Sequence, residues 1–450
     1  MSGPVHGARR LRSHLGRRVG LVCCALVIAI AAPARAWNVS GDKGSLDLGG
    51  SLRTIPVVVE QPLAEPQWGF LDQSLLRLTA QGTVGDWLKL EAHAVETVSY
   101  ASGGPTAGYT AQTAVAQRYR AFDLQWSQAS GEHASAALEL DRLSARFSLP
   151  HVDITLGRQA INFSKALFWN PLDLFLPFDP RAFDRDYKPG VDAARVQLSL
   201  GESSGIELVG ALGRTLLVDA QKGSSAQESG FFASSWTGSA LIARAFTTLA
   251  HVDLSLQGGK IFGGAEVGLG AAGELFSWGL HGELSFVRAD QQPQTLFPDG
   301  RGSVHEVTVQ EDSLSLVVGA DHRFDNDLTL ALEVFHNGAA ASHDLILSAA
   351  RVALGDTQSL SRDLGAATAS YPLTPLWTAS LATLVSFSDG SSLITPSIAW
   401  SAANEVDVLA GALIGIGPRP RTDPTFHFPA PQSEFGSYPN IVYVEAKLYF

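Results

Sequence analysis

A chain of 450 residues with 45% apolar content has material for a large buried surface, and its 44 acidic against 32 basic side chains exclude a nucleic-acid partner. Both cysteines, Cys23 and Cys24, lie side by side near the amino terminus, so the rest of the chain has no disulfide framework, thiolate metal site or cysteine nucleophile. Past that region no continuous apolar run is long enough for a spanning helix.

Residues 1–36 read as a cleaved signal peptide. Arg9, Arg10, Arg12, Arg17 and Arg18 form the basic start, Val19 to Ala32 the apolar stretch, and Ala34-Arg35-Ala36 the cleavage site. The leader takes six of the 32 basic residues and no acid with it, leaving 26 against 44, a net charge of −18. The remainder, 37–450, reads as one domain.

In chain order, Ser45 to Val57 is a first strand with Leu46, Leu48 and Leu52 on one face. Leu71 to Thr83 and Trp87 to Thr97 form a hairpin across Val84-Gly85-Asp86. Arg118 to Trp126 reads as a strand extension. From Ala137 the alternation is firm: Leu143, Ala145, Phe147 and Leu149 face one way, Arg142, Ser144, Arg146 and Ser148 the other. Pro150-His151 turns the chain into Val152, Ile154 and Leu156.

Between that strand and Val196, Leu198 and Leu200 lies a long segment that cannot join a sheet. It packs Phe168, Trp169, Phe175, Phe178, Phe183 and Tyr187 among charged residues, with prolines at 171, 177, 180 and 189. Further strands follow near 206–212, 238–247, 250–257, 261–273, 277–288, 313–324, 328–336, 364–371, 376–388, 392–401, 405–416 and 440–450. Gly268, Gly270 and Gly273 match a dinucleotide-binding pattern, but no helix follows, so they read as small residues in a closely approached strand. Asp321, Asp325 and Asp327 lack the spacing of a calcium loop and read as a charged turn. His93, His281 and His322 read as polar lining.

The fold class is all-β: a transmembrane antiparallel β-barrel of about eighteen strands, with sixteen the alternative count. Short connections at 84–86, 150–151, 201–203, 325–327, 372–375 and 402–404 fall on the side of the termini, and the long ones fall on the other. A soluble sandwich has no reason to sort loops this way. An outer-membrane barrel has short periplasmic turns and long extracellular loops, and its closure leaves no unpaired edge. Val442, Val444, Ala446, Leu448 and Phe450 alternate to the carboxy terminus, and Phe450 resembles the assembly signal of bacterial outer-membrane barrels.

Gly157-Arg158-Gln159, Trp169-Asn170-Pro171, Phe178-Asp179-Pro180, Asp184-Arg185 and Gly190-Val191-Asp192 resemble a pattern in porin-like outer-membrane barrels, including the alginate-export type. Tyr371 to Trp377 through Asp389-Gly390 looks like the same broad group. The resemblance implies a passive channel or exporter for small or extended polar solutes in a bacterial outer membrane. It implies no cofactor and no metal, with membrane lipid and the barrel assembly machinery as partners. An alginate conduit implies a strongly arginine-lined lumen, and only scattered basic residues occur here.

Within that frame the segment 163–190 is a candidate constriction. Its charged residues, Asp173, Asp179, Asp184, Arg185, Asp186 and Lys188, are expected to face Arg142, Arg146 and Arg195 on the flanking strands, and Asp192 and Arg158 join the same set. Arg158 breaks the parity of Val152, Ile154 and Leu156, so inward placement requires a bulge at Gly157. An external loop with its own aromatic core is the competing reading, and a barrel enzyme of lipase or protease type or a plugged structural barrel are the competing functions. No serine stands in a nucleophile elbow, so the chain is read as a non-enzyme.

Overall fold

A computed structural model describes residues 36–450 except 42, 61–67, 103–117, 176–186, 218–230, 235, 291–292, 299–303, 309–310, 342–343, 355–356 and 423–428. The signal-peptide reading therefore lies outside the described residues.

Eighteen antiparallel strands close into a barrel. They are β1 Gly44–Glu60, β2 Trp68–Val84, β3 Leu88–Ala101, β4 Ala134–Leu149, β5 Val152–Gln159 and β6 Val191–Ser199. Next come β7 Ser204–Ala211, β8 Ala240–Leu249, β9 Val252–Ile261, β10 Gly264–Leu275, β11 Trp278–Ala289 and β12 Ser313–Arg323. The ring is completed by β13 Thr329–Asn337, β14 Asp363–Thr374, β15 Trp377–Ser386, β16 Ser392–Ala403, β17 Val406–Ile416 and β18 Ile441–Tyr449. Each pairs with its neighbours in sequence, and β18 closes on β1 with Leu448 opposite Leu52 and Val442 opposite Val58. Beyond this pairing the Gly50 amide donates to Phe450 O at 2.7 Å and the Phe450 amide to Gly50 O at 3.0 Å. The expected count of eighteen is the observed one.

Alternation sorts the faces as the sequence predicts. Leu143, Leu156, Val196, Leu208, Val267 and Leu332 point outward and are exposed, while Glu207, Gln257, Glu266, Glu283 and Glu333 point inward and are buried. Aromatic residues bracket the outer apolar band. Trp377 stacks on Trp400 at 5.2 Å near the turn end of β15 and β16, and Phe387 stands exposed just past the other end of β15. Ten residues apart at ~3.3 Å each, and tilted by ~40°, they span about 25 Å of height, the thickness of an outer-membrane apolar band.

Every connection at the terminal end is a tight turn, and all the long ones lie at the other end, here called the loop end. Two features refine the sequence reading. The loop end also holds short connections, at Phe262-Gly263 and at 387–391. The strand extension expected at 118–126 is instead Gln125–Ser130, which pairs with β4 through Trp126 opposite Leu138, above the point where β5 ends. A strand at Trp37–Gly41, which the sequence reading did not anticipate, pairs with Gly44 to Leu48 of β1 in the lane beyond Phe450. Helix α1, Leu345–Leu354, lies in the connection between β13 and β14.

Two apolar clusters lie at the loop end, one of them packing Tyr119, Ile161, Phe163 and Phe175 on residues of β6, β7 and β8. Ile55, Val57 and Val59 of β1, Leu364 of β14, Leu384 of β15, Leu393 of β16, Leu413 of β17 and Tyr443 of β18 form a cluster with Phe168, Trp169 and Phe435 from two connections. The run Val57-Val58-Val59 is apolar on both faces for this reason: Val58 meets the outside and its neighbours meet the cluster.

Candidate functional site

The connection between β5 and β6 crosses the barrel interior. Its leading limb meets inward-facing residues of β9, β11 and β13, which lie four, six and eight places round a ring of eighteen. Nine places is diametrically opposite, so a segment bonded to these side chains runs through the lumen and not over the outer wall.

Two carboxylates of the far wall hold this limb by its backbone. Glu333 of β13 accepts the amides of Leu167 at 2.8 Å, Phe168 at 3.1 Å and Trp169 at 2.8 Å, and His281 Nε2 lies 3.1 Å away. Glu283 of β11 accepts the amides of Lys165 at 2.5 Å, Ala166 at 3.3 Å and Leu172 at 3.3 Å, with the Ser164 hydroxyl 2.7 Å away. Buried carboxylates are costly unless their oxygens are satisfied, and here the satisfying amides and hydroxyl come from the crossing segment, with His281 of β11 beside Glu333. Trp169 is fully buried, stacks on Phe335 at 5.5 Å and donates its indole N–H to Ser359 Oγ at 3.2 Å. Leu172 rests on β10 where the side chains vanish: a Cβ on Gly268 would stand 2.4 Å from its Cδ2, and one on Gly270 3.0 Å from its Cδ1. Of the three glycines read from sequence as a closely approached strand, Gly268 and Gly270 serve that purpose, whereas Gly273 lies against His251 O and Val252.

The returning limb docks on the basic near wall. Tyr187 lies between Arg77 of β2, 3.2 Å from its ring centroid, and Arg142 of β4 at 4.6 Å, and its hydroxyl meets His93 Nδ1. Arg142 also donates to Lys188 O at 2.9 Å and pairs with Glu91 at 3.3 Å. Arg120 donates to Gly190 O at 3.0 Å and to Asp141 at 2.8 Å. Asp141 sits at a bulge of β4, where the register with β3 shifts between His93 and Ala94.

Lys188 and Asp173 form an ion pair with each other, joining the two limbs. Burial raises the Asp173 carboxyl above its ordinary range against the Lys188 charge, and burial lowers the Lys188 amine against Asp173.

The expected contacts are thus redistributed. Asp179, Asp184, Arg185 and Asp186 lie outside the described residues. Of the three arginines expected to meet the segment's acids, Arg142 reaches the segment, but through a backbone oxygen and a tyrosine ring. Arg146 pairs with Asp153 near the terminal-end turn, and Arg195 pairs with Glu207 of β7, which also faces Arg244 of β8 at 3.9 Å. Each of those arginines has a wall acid within reach, which displaces a loop acid as partner. The bulge expected at Gly157 is absent: β5 keeps register with β4 and β6 throughout, and Gly157 takes a φ of +111°. Arg158 stays in register with outward-facing Leu156 and is buried under residues 118–122. It forks onto Asp192 at 2.8 and 3.0 Å and donates to Phe122 O at 2.6 Å and Leu140 O at 2.9 Å. This closed pair holds the rim at the loop end and does not face the lumen.

The sequence reading missed Glu283, Glu333, Glu207, Arg77, Arg120 and Arg244. A signal was present in one respect: Glu333 is a lone acid within the apolar run Leu330 to Phe335.

No family model and no curated protein matches the chain. Similar solved structures include OccK11 of Pseudomonas aeruginosa at TM-score 0.49 and 9% identity, covering 90% of this chain and 96% of that one. OccD3 of the same organism scores 0.49 at 9% identity with 93% of each chain covered. OmpF of Salmonella typhi, in complex with daunomycin, scores 0.45 at 10% identity, covering 92% of this chain and all of the other. At such identities the likeness concerns the barrel alone.

Proposed function

We propose that the protein is a bacterial outer-membrane channel through which small or extended polar solutes pass without energy input, with 163–190 as its constriction. The carrying observation is the segment bonded across the lumen to Glu283 and Glu333. An eighteen-strand barrel measures roughly 35 Å between opposite backbones at a tilt of ~40°, wide enough for an aqueous passage unless something narrows it. The apolar cluster with Phe168, Trp169 and Phe435 fills one side at the loop end. We place the solute path along the polar inner wall outside the apolar clusters, on the side of Arg77 of β2 and Arg142 of β4.

The tight turns then face the periplasm and the long connections the outside, following export under a signal peptide and insertion by the barrel assembly machinery. An alginate-type conduit is the finer form of this reading. Its polyanion would call for arginines without acid partners, whereas Arg77, Arg142, Arg195 and Arg244 each stand beside an acid, so a general polar-solute channel suits the wall better. A plugged structural barrel is the second reading, favoured by that same apolar cluster. Conductance of the purified protein in planar bilayers separates them: discrete steps support the channel, and an electrically silent but folded barrel supports the plug.

A further inference from the structure

We propose that β17 and β18 form a lateral gate in the barrel wall, through which small uncharged apolar molecules pass between the interior cluster around Tyr443 and the surrounding lipid. This goes beyond the polar channel and rests only on the barrel standing in a membrane.

Two breaks in the hydrogen-bond ladder are the first reason. At the seam of β18 with β1, pairing stops at Thr54 opposite Ala446 and resumes at Val57 opposite Tyr443. The amides of Gly50 and Glu60 donate to Phe450 O and Asn440 O, which puts the even residues of β1 in the bonding positions, Pro56 among them. Between β16 and β17, pairing stops at Ile394 opposite Ile414 and resumes at Ser397 opposite Gly411. The Ser401 amide donates to Leu376 O on the β15 side, so the even residues of β16 serve β17, Pro396 among them. A proline has no N–H to give, and each junction therefore lacks a ladder bond in mid-strand. Among the described residues, no other junction of the ring lapses in mid-strand except at the β4 bulge.

The breaks bound one panel. β17 and β18 pair without interruption from Val406 opposite Leu448 to Leu413 opposite Ile441. Pro396 lies four residues from Trp400, ~10 Å in height at ~3.3 Å per residue and a tilt of ~40°, well inside the apolar band. The Arg53–Glu445 pair, at 3.1 Å, ties the seam on the terminal-end side of Pro56 and limits the opening there.

The interior behind the panel is the second reason. Ile55 and Val57 on either side of Pro56 join Leu393, Leu413 and Ile441 in an apolar cluster. Tyr443 backs both breaks: it is 4% exposed, stands opposite Val57 at the seam and reaches Gly411, where a Cβ would lie 2.6 Å from its Oη and 2.8 Å from Pro396 O. A molecule moving from this cluster into lipid exchanges one apolar surrounding for another, so the transfer itself costs little.

The test is uptake of phenylnaphthylamine, an uncharged probe that fluoresces in an apolar layer, by cells bearing equal amounts of heat-modifiable full-length barrel. Val58→Cys with Val442→Cys, and Ile394→Cys with Ile414→Cys, staple the panel along its two edges through facing pairs on the outer side of the wall. Oxidation of the four-cysteine variant is expected to slow uptake at least fivefold relative to the same cells after reduction. Pro56→Ala with Pro396→Ala restores both donors without a disulfide and is expected to slow uptake several-fold, whereas Tyr443→Ala is expected to speed it. Uptake unchanged by oxidation once the disulfides have formed, or unchanged in the proline double variant, overturns the gate. Bilayer conductance is independent: a conducting barrel whose probe uptake ignores the staples rejects the gate alone, and a silent barrel with staple-dependent uptake rejects the polar channel alone.

Discussion

Glu333→Leu removes the acceptor of three consecutive backbone amides while nearly conserving volume. A hydrogen bond to a charged group contributes ~1.5–3 kcal/mol, and amides released into a wet lumen regain part of that from water. Taking the low end for the three bonds of 2.8, 3.1 and 2.8 Å gives about 4.5 kcal/mol, on the order of a two-thousandfold shift from docked to undocked segment. Glu283 still holds residues 164–166 and 172, so the single variant is expected to flicker between the parent conductance and a larger level. Glu333→Leu with Glu283→Leu is expected to stay at the larger level. Single-channel recording reads this directly, with heat-modifiable migration as the control for a closed barrel. Conductance and noise unchanged in the double variant would refute the idea that these carboxylates hold the segment across the pore.

Single cysteines at Asp344 and Gln432 are expected to react with a membrane-impermeant maleimide on intact cells, and one at Asn326 to be silent; the reverse pattern rejects the orientation. Deleting Phe450 removes two backbone hydrogen bonds at the seam with Gly50, about 1 kcal/mol each, as well as the terminal side chain, so the yield of inserted protein should fall several-fold on heat-modifiability gels. Asp389 lies in the connection between β15 and β16. Burial works to raise its carboxyl, but the Ser391 hydroxyl and amide at 2.6 and 2.9 Å, the Glu434 amide at 2.6 Å and Ser386 outweigh it and hold the value below the ordinary range. A depressed carboxyl contributes stability above its unfolded value and loses it as pH falls through the folded one. Protease cleavage around 429–438 should therefore rise at acid pH in the parent and lose that dependence in Asp389→Asn.

Strand number, inside and outside, and the sorting of connections by length were legible because a membrane barrel writes them locally, as period-two alternation and turn residues. What the sequence hid is long-range. Nothing near Trp169 announces that its amide meets Glu333, more than 160 residues on, and nothing in Ile55 to Val59 separates an apolar inner wall from an apolar outer one. The pairing of Arg195 with Glu207 depends on register between neighbouring strands, so a basic residue read alone was assigned to the loop. The aromatic segment itself was visible from its prolines and rings, and the glycines of β10 marked the wall it rests against. The direction in which it folds needed Glu283 and Glu333.

The most direct test of the account is the single-channel conductance of a barrel lacking Leu167 to Asp184. That deletion removes the amides on Glu333, the Trp169 stack, Leu172 on the glycines and Asp173, while leaving β5 and β6 intact. A clear rise in conductance from a folded, inserted barrel is the predicted result. An unchanged conductance from an equally folded barrel would contradict the claim that this segment constricts the pore.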